Sequence, residues 1–130
     1  MGHEPLPIAT ERVATAIRDG AFAVHRALGP GLLESVYEVC LCHELKQRSM
    51  AFTSQTSLPI VYDGIRLDAG LRLDLLVENR VVVELKAVES LLPLFDAQVL
   101  TYLRLTGMRL GLLINFNVPL LKEGIRRIIV

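Results

Sequence analysis

The chain has no excess of charge of either sign. Its 130 residues include 14 basic and 14 acidic side chains, which gives a formal net charge of zero at neutral pH. Domains that bind nucleic acid through bulk charge are strongly basic, so any such surface here must be local. The basic residues that could form it are Arg72, Arg104, Arg109, Lys122, Arg126 and Arg127.

The chain also lacks a long apolar run. Hydrophobic residues make up 52% of the sequence. Charges nevertheless break every apolar stretch before it reaches the roughly 18 residues that a membrane-spanning helix needs, so no membrane partner is expected. The surplus of apolar residues instead predicts a sheet covered on both faces and a subunit interface, and hence a homo-oligomer.

Two further absences bear on the compartment. Met1–Pro5 contains no basic region followed by an apolar stretch, so no secretory signal is expected. Cys40 and Cys42 are the only cysteines, and they point in different directions because they are two apart in a predicted helix, which disfavours a disulfide. A zinc site would need more Cys or His than the neighbouring His43. Free thiols and a cytoplasmic location are therefore expected.

Apolar residues at helical spacing predict two helices at the start of the chain. The first covers Ala9–Leu28, with Thr10 as its N-cap, and the second covers Leu32–Arg48. A Gly-Pro-Gly break separates them. No repeat, low-complexity tract or linker follows, so residues 1–130 fit one domain, with residues 1–8 expected to form a flexible tail.

The hydrophobic pattern then changes to the period of two that marks strands. Asp63-Gly64 is a strong hairpin signal, whereas Asp68-Ala69-Gly70 is expected to interrupt the return strand. The order of elements predicts an α/β (α+β) fold in which helices flank a mixed sheet. Strands are predicted at Phe52–Tyr62, Ile65–Leu67, Leu71–Val77, Val81–Val88, Leu110–Asn115 and Ile125–Val130, and a third helix at Pro93–Thr106.

The third and fourth predicted strands carry most of the chemically active residues. Their odd positions are all apolar, whereas Asp74, Glu84 and Lys86 occupy even positions. Because side chains alternate along a strand, we expect these three to share one face. A hairpin centred on Asn79 would place Asp74 directly opposite Glu84, with their Cβ atoms about 5 Å apart.

An opposed pair of carboxylates needs a cation or a proton between its members, because the two charges repel. Mg²⁺ prefers oxygen ligands, and it promotes phosphodiester hydrolysis by polarising the phosphate and lowering the pKa of its bound water. Lys86 could orient that water or stabilise charge on the phosphate. The alternative is a solvated strand face with a cross-strand salt bridge, because a D…E-x-K pattern often arises by chance.

The third predicted helix carries two further candidates. Gln98 and Tyr102 are four apart and share a helix face, which is expected to face the core because Leu94, Phe95 and Leu105 lie on it too. A glutamine there needs hydrogen-bond partners, and a site beside the sheet would supply them. The alternative is a boundary glutamine with its amide at the surface.

The run Gly31–Tyr37 reads G-x-x-E-x-x-Y. On this motif and the residues above, the chain closely resembles the GxxExxY proteins, a family placed in the PD-(D/E)XK nuclease superfamily nearest to its RecB-like branch. The resemblance implies a restriction-endonuclease-like PD-(D/E)XK core with Mg²⁺ or Mn²⁺ as cofactor. It runs from Val13 to the C-terminus and is carried by His25–Tyr37, Asp68–Glu89, Ala97–Tyr102 and Leu110–Asn117.

The resemblance also implies roles for residues of the central strands. Asp74 is the motif aspartate, and Glu84-Leu85-Lys86 is the E-x-K element. Asp74 and Glu84 would bind the metal through their carboxylates, and Leu85 through its carbonyl. Lys86 would act on the attacking water.

Residues of the helices receive roles by the same resemblance. Gln98 and Tyr102 match the Q-x-x-x-Y motif and would position Lys86 or the phosphate. Glu34, by itself a solvated residue in a first helical turn, would help to hold the metal. His25, by itself a structural or surface histidine, would match the upstream metal-binding histidine. The chain lacks four suitably spaced cysteines, so no iron–sulfur cluster is expected.

Three functions remain open from the sequence. The first is a metal-dependent nuclease that hydrolyses phosphodiester bonds of DNA, with RNA as the alternative substrate. The second is a catalytically silent nuclease-fold module for interaction or oligomerisation, which the neutral charge and apolar composition favour and the intact set of Asp74, Glu84 and Lys86 disfavours. A Ser-His-Asp hydrolase is a distant third, because no G-x-S-x-G elbow is present.

Overall fold

Three helices and five strands make up the fold of residues 4–130. A computed structural model describes residues 4–130, with the side chain of Ala69 left out. No helix in this range is long and apolar enough to cross a membrane. The elements are α1 Ile8–Leu28, α2 Glu34–Gln47, β1 Phe52–Tyr62, β2 Ile65–Val77, β3 Val81–Lys86, α3 Pro93–Thr106, β4 Leu110–Asn115 and β5 Ile125–Ile129, with a 3-10 turn at Leu121–Gly124.

The five strands form one mixed sheet in chain order, β1-β2-β3-β4-β5. Strands β3 and β4 are parallel, from Val81 opposite Leu110 to Lys86 opposite Asn115, and the other neighbours are antiparallel. A parallel pair needs a crossover connection, and α3 supplies it. The predicted mixed sheet flanked by helices is therefore confirmed.

The first helix begins earlier than predicted. Ile8 is already helical, because the Pro7 carbonyl accepts hydrogen bonds from the N–H groups of Thr10 and Glu11 at 3.0 and 3.1 Å. Thr10 is buried inside the helix, so its prediction as N-cap is wrong. The predicted tail thus ends before residue 8, and residues 1–3 of it lie outside the described range.

The second strand is longer than predicted. β2 continues as one strand through Asp68-Ala69-Gly70, so the predicted division into two strands is wrong, but the pairing with β1 is interrupted there. None of these three residues is paired with β1, because the register shifts at this point: Leu58 lies opposite Leu71, whereas Ile60 lies opposite Leu67. A side chain at Gly70 would collide with Ile60, which explains why the chain has glycine at this point.

Apolar side chains cover both faces of the sheet. One cluster packs the sheet against α1 and α2, and a second packs it against α3. The α3 residues that reach the core are Val99 and Leu103, whereas Leu94 and Leu105 are exposed, so the predicted core stripe of that helix is rotated. The second cluster consists of Leu73, Val82, Val99, Leu103 and Leu113.

Tyr37 gives the G-x-x-E-x-x-Y spacing a structural cause. Its hydroxyl donates to the Gly29 carbonyl at 2.6 Å and accepts from the Leu32 N–H at 3.1 Å. Its ring is fully buried and stacks on Phe116 with centroids 4.5 Å apart. Gly29 and Gly31 have φ of 68° and 98°, a left-handed backbone that favours glycine. The tyrosine therefore ties down the loop that starts α2.

We predict that Tyr37→Phe lowers the free energy of unfolding by about 1 kcal/mol, because both loop hydrogen bonds are lost while the stack on Phe116 remains. Tyr62→Phe is the matched control, since Tyr62 is 72% exposed and should change little. Urea denaturation of the three proteins measures the difference. Equal stabilities would show that the hydroxyl does not hold the loop.

Candidate metal centre

Strands β2 and β3 separate where the acidic residues begin. Their paired residues end at Leu75 opposite Val83. One step further, side chains replace the backbone ladder: Glu84 Oε1 accepts from the Asp74 N–H at 3.1 Å, and Asp74 Oδ2 accepts from the Leu85 N–H at 2.8 Å. Each carboxylate thus satisfies a backbone donor of the opposite strand, and the structure places Asp74 beside Glu84.

The alternation of β2 changes at the same point. Leu75 packs in the cluster under α1 and α2, whereas Leu73 packs in the cluster under α3. The expectation of one apolar face along the odd positions is therefore wrong beyond Asp74. The partner strand has its own irregularity there, because Gln55 of β1 has a left-handed φ of 50°.

Glu84 lies in the interior, with 6% of its surface exposed. Burial, followed by the nearby Asp74 carboxylate, raises its pKa to about 8, and the Asp74 N–H and Lys86 offset part of that rise. In the absence of a cation, burial and the neighbouring charge thus favour the protonated form of Glu84. A divalent cation beside it would favour the charged form instead.

Lys86 and α3 meet at the end of β3. The Lys86 ammonium lies over the ring of Phe95, 4.4 Å from its centroid, in a cation–π contact. Tyr102 is half-buried on the same helix, and burial and the carboxylates of Glu84 and Asp74 raise its pKa. Gln98 is half-buried one turn earlier, and its amide makes no hydrogen bond within residues 4–130.

Helix α2 brings two carboxylates to the site. The Glu34 side chain is exposed as a whole, yet burial of its carboxyl group and the charge of Asp74 raise its pKa. Glu38 was missed in the sequence. Burial also raises its pKa, with a smaller contribution from Asp74, while a hydrogen bond from Gln55 lowers it. The signal was available, because Glu38 follows Glu34 by four residues and shares its helix face.

The side-chain hydrogen bond of His25 goes to a different part of the chain from these carboxylates. Its Nε2 is 2.8 Å from the Val118 carbonyl oxygen. A carbonyl only accepts, so Nε2 carries the proton in this contact. Within the described part of the chain, no hydrogen bond or ion pair joins His25 to the acidic residues of β2 and β3.

Three of the six basic candidates for a nucleic-acid surface are already engaged. Arg126 pairs with Asp96 at 2.8 Å, and Arg127 pairs with Glu11 at 2.9 Å. Arg109 donates to backbone carbonyls at both ends of the chain. The other three are exposed, and they are Arg72, Arg104 and Lys122.

The residues present fit a divalent cation with few protein ligands. Within residues 4–130, no group of three or more His, Cys, Asp or Glu side chains could hold a metal ion by itself. Mg²⁺, however, is commonly bound through one or two carboxylates and keeps several waters. The hard oxygens of Asp74 and Glu84 match this preference, and a cation would offset both causes of the raised pKa of Glu84, first its burial and then the repulsion from Asp74.

Sequence comparison agrees with this geometry. The family model of the PD-(D/E)XK nuclease superfamily matches residues 11–128. The chain therefore belongs to the PD-(D/E)XK nuclease superfamily, whose members are usually nucleases and generally use divalent metals. No curated protein and no solved structure matches the chain significantly.

The raised pKa of Glu84 predicts a specific pH dependence of stability without metal. Since the folded pKa lies above the unfolded one, the folded state holds the proton more tightly, and this stabilisation is lost as pH rises from about 4.5 through 8. In EDTA, the free energy of unfolding should fall by roughly 2–4 kcal/mol between pH 5 and pH 8. Urea denaturation at several pH values measures it.

Glu84→Gln should flatten this dependence, because the amide keeps the shape and cannot titrate. The exposed Glu123→Gln is the matched control and should follow the wild-type curve. A wild-type stability that rises over the same pH range would contradict the assignment.

Proposed function

We propose that the chain is a metal-dependent nuclease that hydrolyses phosphodiester bonds of DNA, with RNA as the alternative substrate. The proposal rests on the closeness of three residues at the point where β2 and β3 separate, namely Asp74, Glu84 and Lys86. Membership of the superfamily supports it. We assign the chain to the GxxExxY family and its RecB-like branch on the motifs Gly31–Tyr37 and Gln98–Tyr102.

The proposed cofactor is Mg²⁺ or Mn²⁺, held by the carboxylates of Asp74 and Glu84 and by the Leu85 carbonyl, with Glu34 in or near the ligand set. When bound, the cation supplies polarisation of the phosphate and a bound water of lowered pKa. Asp74 and Glu84 are presented for this by their hydrogen bonds to the backbone of the opposite strand. His25 would join through Nδ1, because its Nε2 donates to the Val118 carbonyl.

Lys86 supplies the positive charge of the proposed reaction. From its place over Phe95, the ammonium can orient the attacking water and stabilise negative charge on the phosphate. The Phe95 ring limits where this long side chain can point. Burial, followed by the charges of Glu84 and Asp74, raises the pKa of Tyr102, which places its hydroxyl near the carboxylates. From there the hydroxyl can position the phosphate or Lys86. Gln98, one turn earlier on the same helix, can do the same.

A second function rests on a different surface. Large apolar side chains are exposed at the tip of the β1–β2 hairpin, where Val61, Tyr62 and Ile65 are each at least 59% exposed. Such patches mark interaction sites. The alternative proposal is a catalytically silent interaction module that assembles through this hairpin. Assembly as a homo-oligomer is compatible with both functions. For the first function we also propose nucleic acid as the partner and the cytoplasm as the location.

We predict that purified protein cleaves labelled DNA only with Mg²⁺ or Mn²⁺ and that Glu84→Ala abolishes cleavage. Lys86→Ala should lower cleavage at least about 10²-fold, because charge on the phosphate loses its stabilisation. Its free energy of unfolding should change by less than about 1 kcal/mol, since Lys86 is only half-buried. Gel assays with single- and double-stranded DNA and RNA measure the activity.

Lys46→Ala is the matched control, because Lys46 is exposed in the last turn of α2 and should leave cleavage unchanged. Cleavage that survives in Glu84→Ala would point to a contaminating enzyme. Metal binding by the wild type without cleavage of any of the four substrates would favour the silent module.

A further inference from the structure

Gln55 adopts an unfavourable backbone conformation inside strand β1. Its φ of 50° is left-handed, and L side chains other than Asn and Asp rarely adopt it. The neighbouring pairs, Ser54 with Leu75 and Thr56 with Leu73, keep their register on either side. Between these two pairs, Gln55 and Asp74 are not paired with each other. The β1–β2 ladder therefore has a gap where the candidate metal centre begins. Such outliers cluster at functional sites.

The side chain of Gln55 reaches into this gap and connects two elements. Its Nε2 donates to Glu38 Oε1 of α2 at 2.8 Å and is 3.3 Å from Asp74 Oδ1 of β2. The second oxygen of Asp74 accepts from the Leu85 N–H at 2.8 Å. Both oxygens of the aspartate are thus held, one from β1 and one from β3.

A neutral amide suits this position. Burial is the largest cause of the raised pKa of Glu38, the hydrogen bond from Gln55 lowers that pKa, and the charge of Asp74 adds a smaller rise. An arginine or lysine here would add a positive charge that competes with a cation at the site. Glutamine offsets the repulsion between the carboxylates without that charge.

We propose that Gln55 is a positioning residue that holds the carboxylates of Asp74 and Glu38 in the arrangement that receives the divalent cation, and that its strained backbone is retained for this contact. The inference rests on the proposed metal-dependent function. It makes Glu38 part of the site through Gln55 and does not require it to touch the metal.

Gln55→Gly separates the contact from the strain. Glycine accepts a positive φ without penalty, so the variant should fold, with a Tm within about 3 °C of wild type. Loss of the amide should weaken Mn²⁺ binding about tenfold, as is typical when a partner of a metal ligand is removed. Isothermal titration with Mn²⁺ and thermal unfolding in EDTA measure the two effects independently of cleavage.

Asn79→Gly is the matched control, because Asn79 has a φ of 52° in the β2–β3 turn and, among the described residues, forms no hydrogen bond with Asp74, Glu84 or Glu38. It should keep both Tm and Mn²⁺ affinity. Gln55→Asn tolerates the same backbone with a shorter amide, and it should also lose affinity because it cannot reach Glu38 and Asp74 together.

Unchanged Mn²⁺ affinity in Gln55→Gly, with tight binding by the wild type, would overturn the inference and leave the proposed function standing. A parallel loss of Tm and affinity would show a merely structural support and would overturn it as well. A wild-type protein that binds no Mn²⁺ would overturn both the inference and the metal-dependent function.

Discussion

The site depends on two hydrogen bonds between β2 and β3, in which the Asp74 N–H donates to Glu84 and the Leu85 N–H donates to Asp74. Backbone pairing between β2 and β3 ends at Leu75, and two carboxylates take over the backbone donors that the parting strands leave. Neither acidic side chain forms a salt bridge with any residue from 4 to 130. These hydrogen bonds hold the two carboxylates close together at the point where the strands separate.

The depth of β3 in the fold gives this arrangement its electrostatic character. Val81 to Leu85 are buried because α1 and α2 cover one face of the sheet and α3 covers the other. Burial is the largest cause of the raised pKa of Glu84, ahead of the Asp74 carboxylate. The helices that cover the sheet thus also raise the free energy of a charged, unpaired carboxylate at Glu84. A bound cation would lower that free energy.

Local patterns in the sequence predicted much of the fold but not its irregularities. The bounds of β1, α3 and β4 were predicted as observed, since alternation, a proline start and a glycine stop each leave a local signal. Two irregularities left no local signal: the positive φ of Gln55, and the switch of the odd-numbered β2 side chains from one face of the sheet to the other at Asp74. Both arise where neighbouring strands meet in the sheet. Glu38 did leave a local signal, its place one turn after Glu34, but its contact with Gln55 arises only when α2 packs against the sheet.

The sequence by itself determined which side chains are available and which share a strand or a helix face, since both follow from the periods of the two structures. It thereby brought Asp74, Glu84 and Lys86 together in the expected hairpin. Only the tertiary structure decided the partners across elements: Phe95 under Lys86, Gln55 between Glu38 and Asp74, and Val118 against His25. Those contacts depend on how layers pack, and packing is a property of the whole chain.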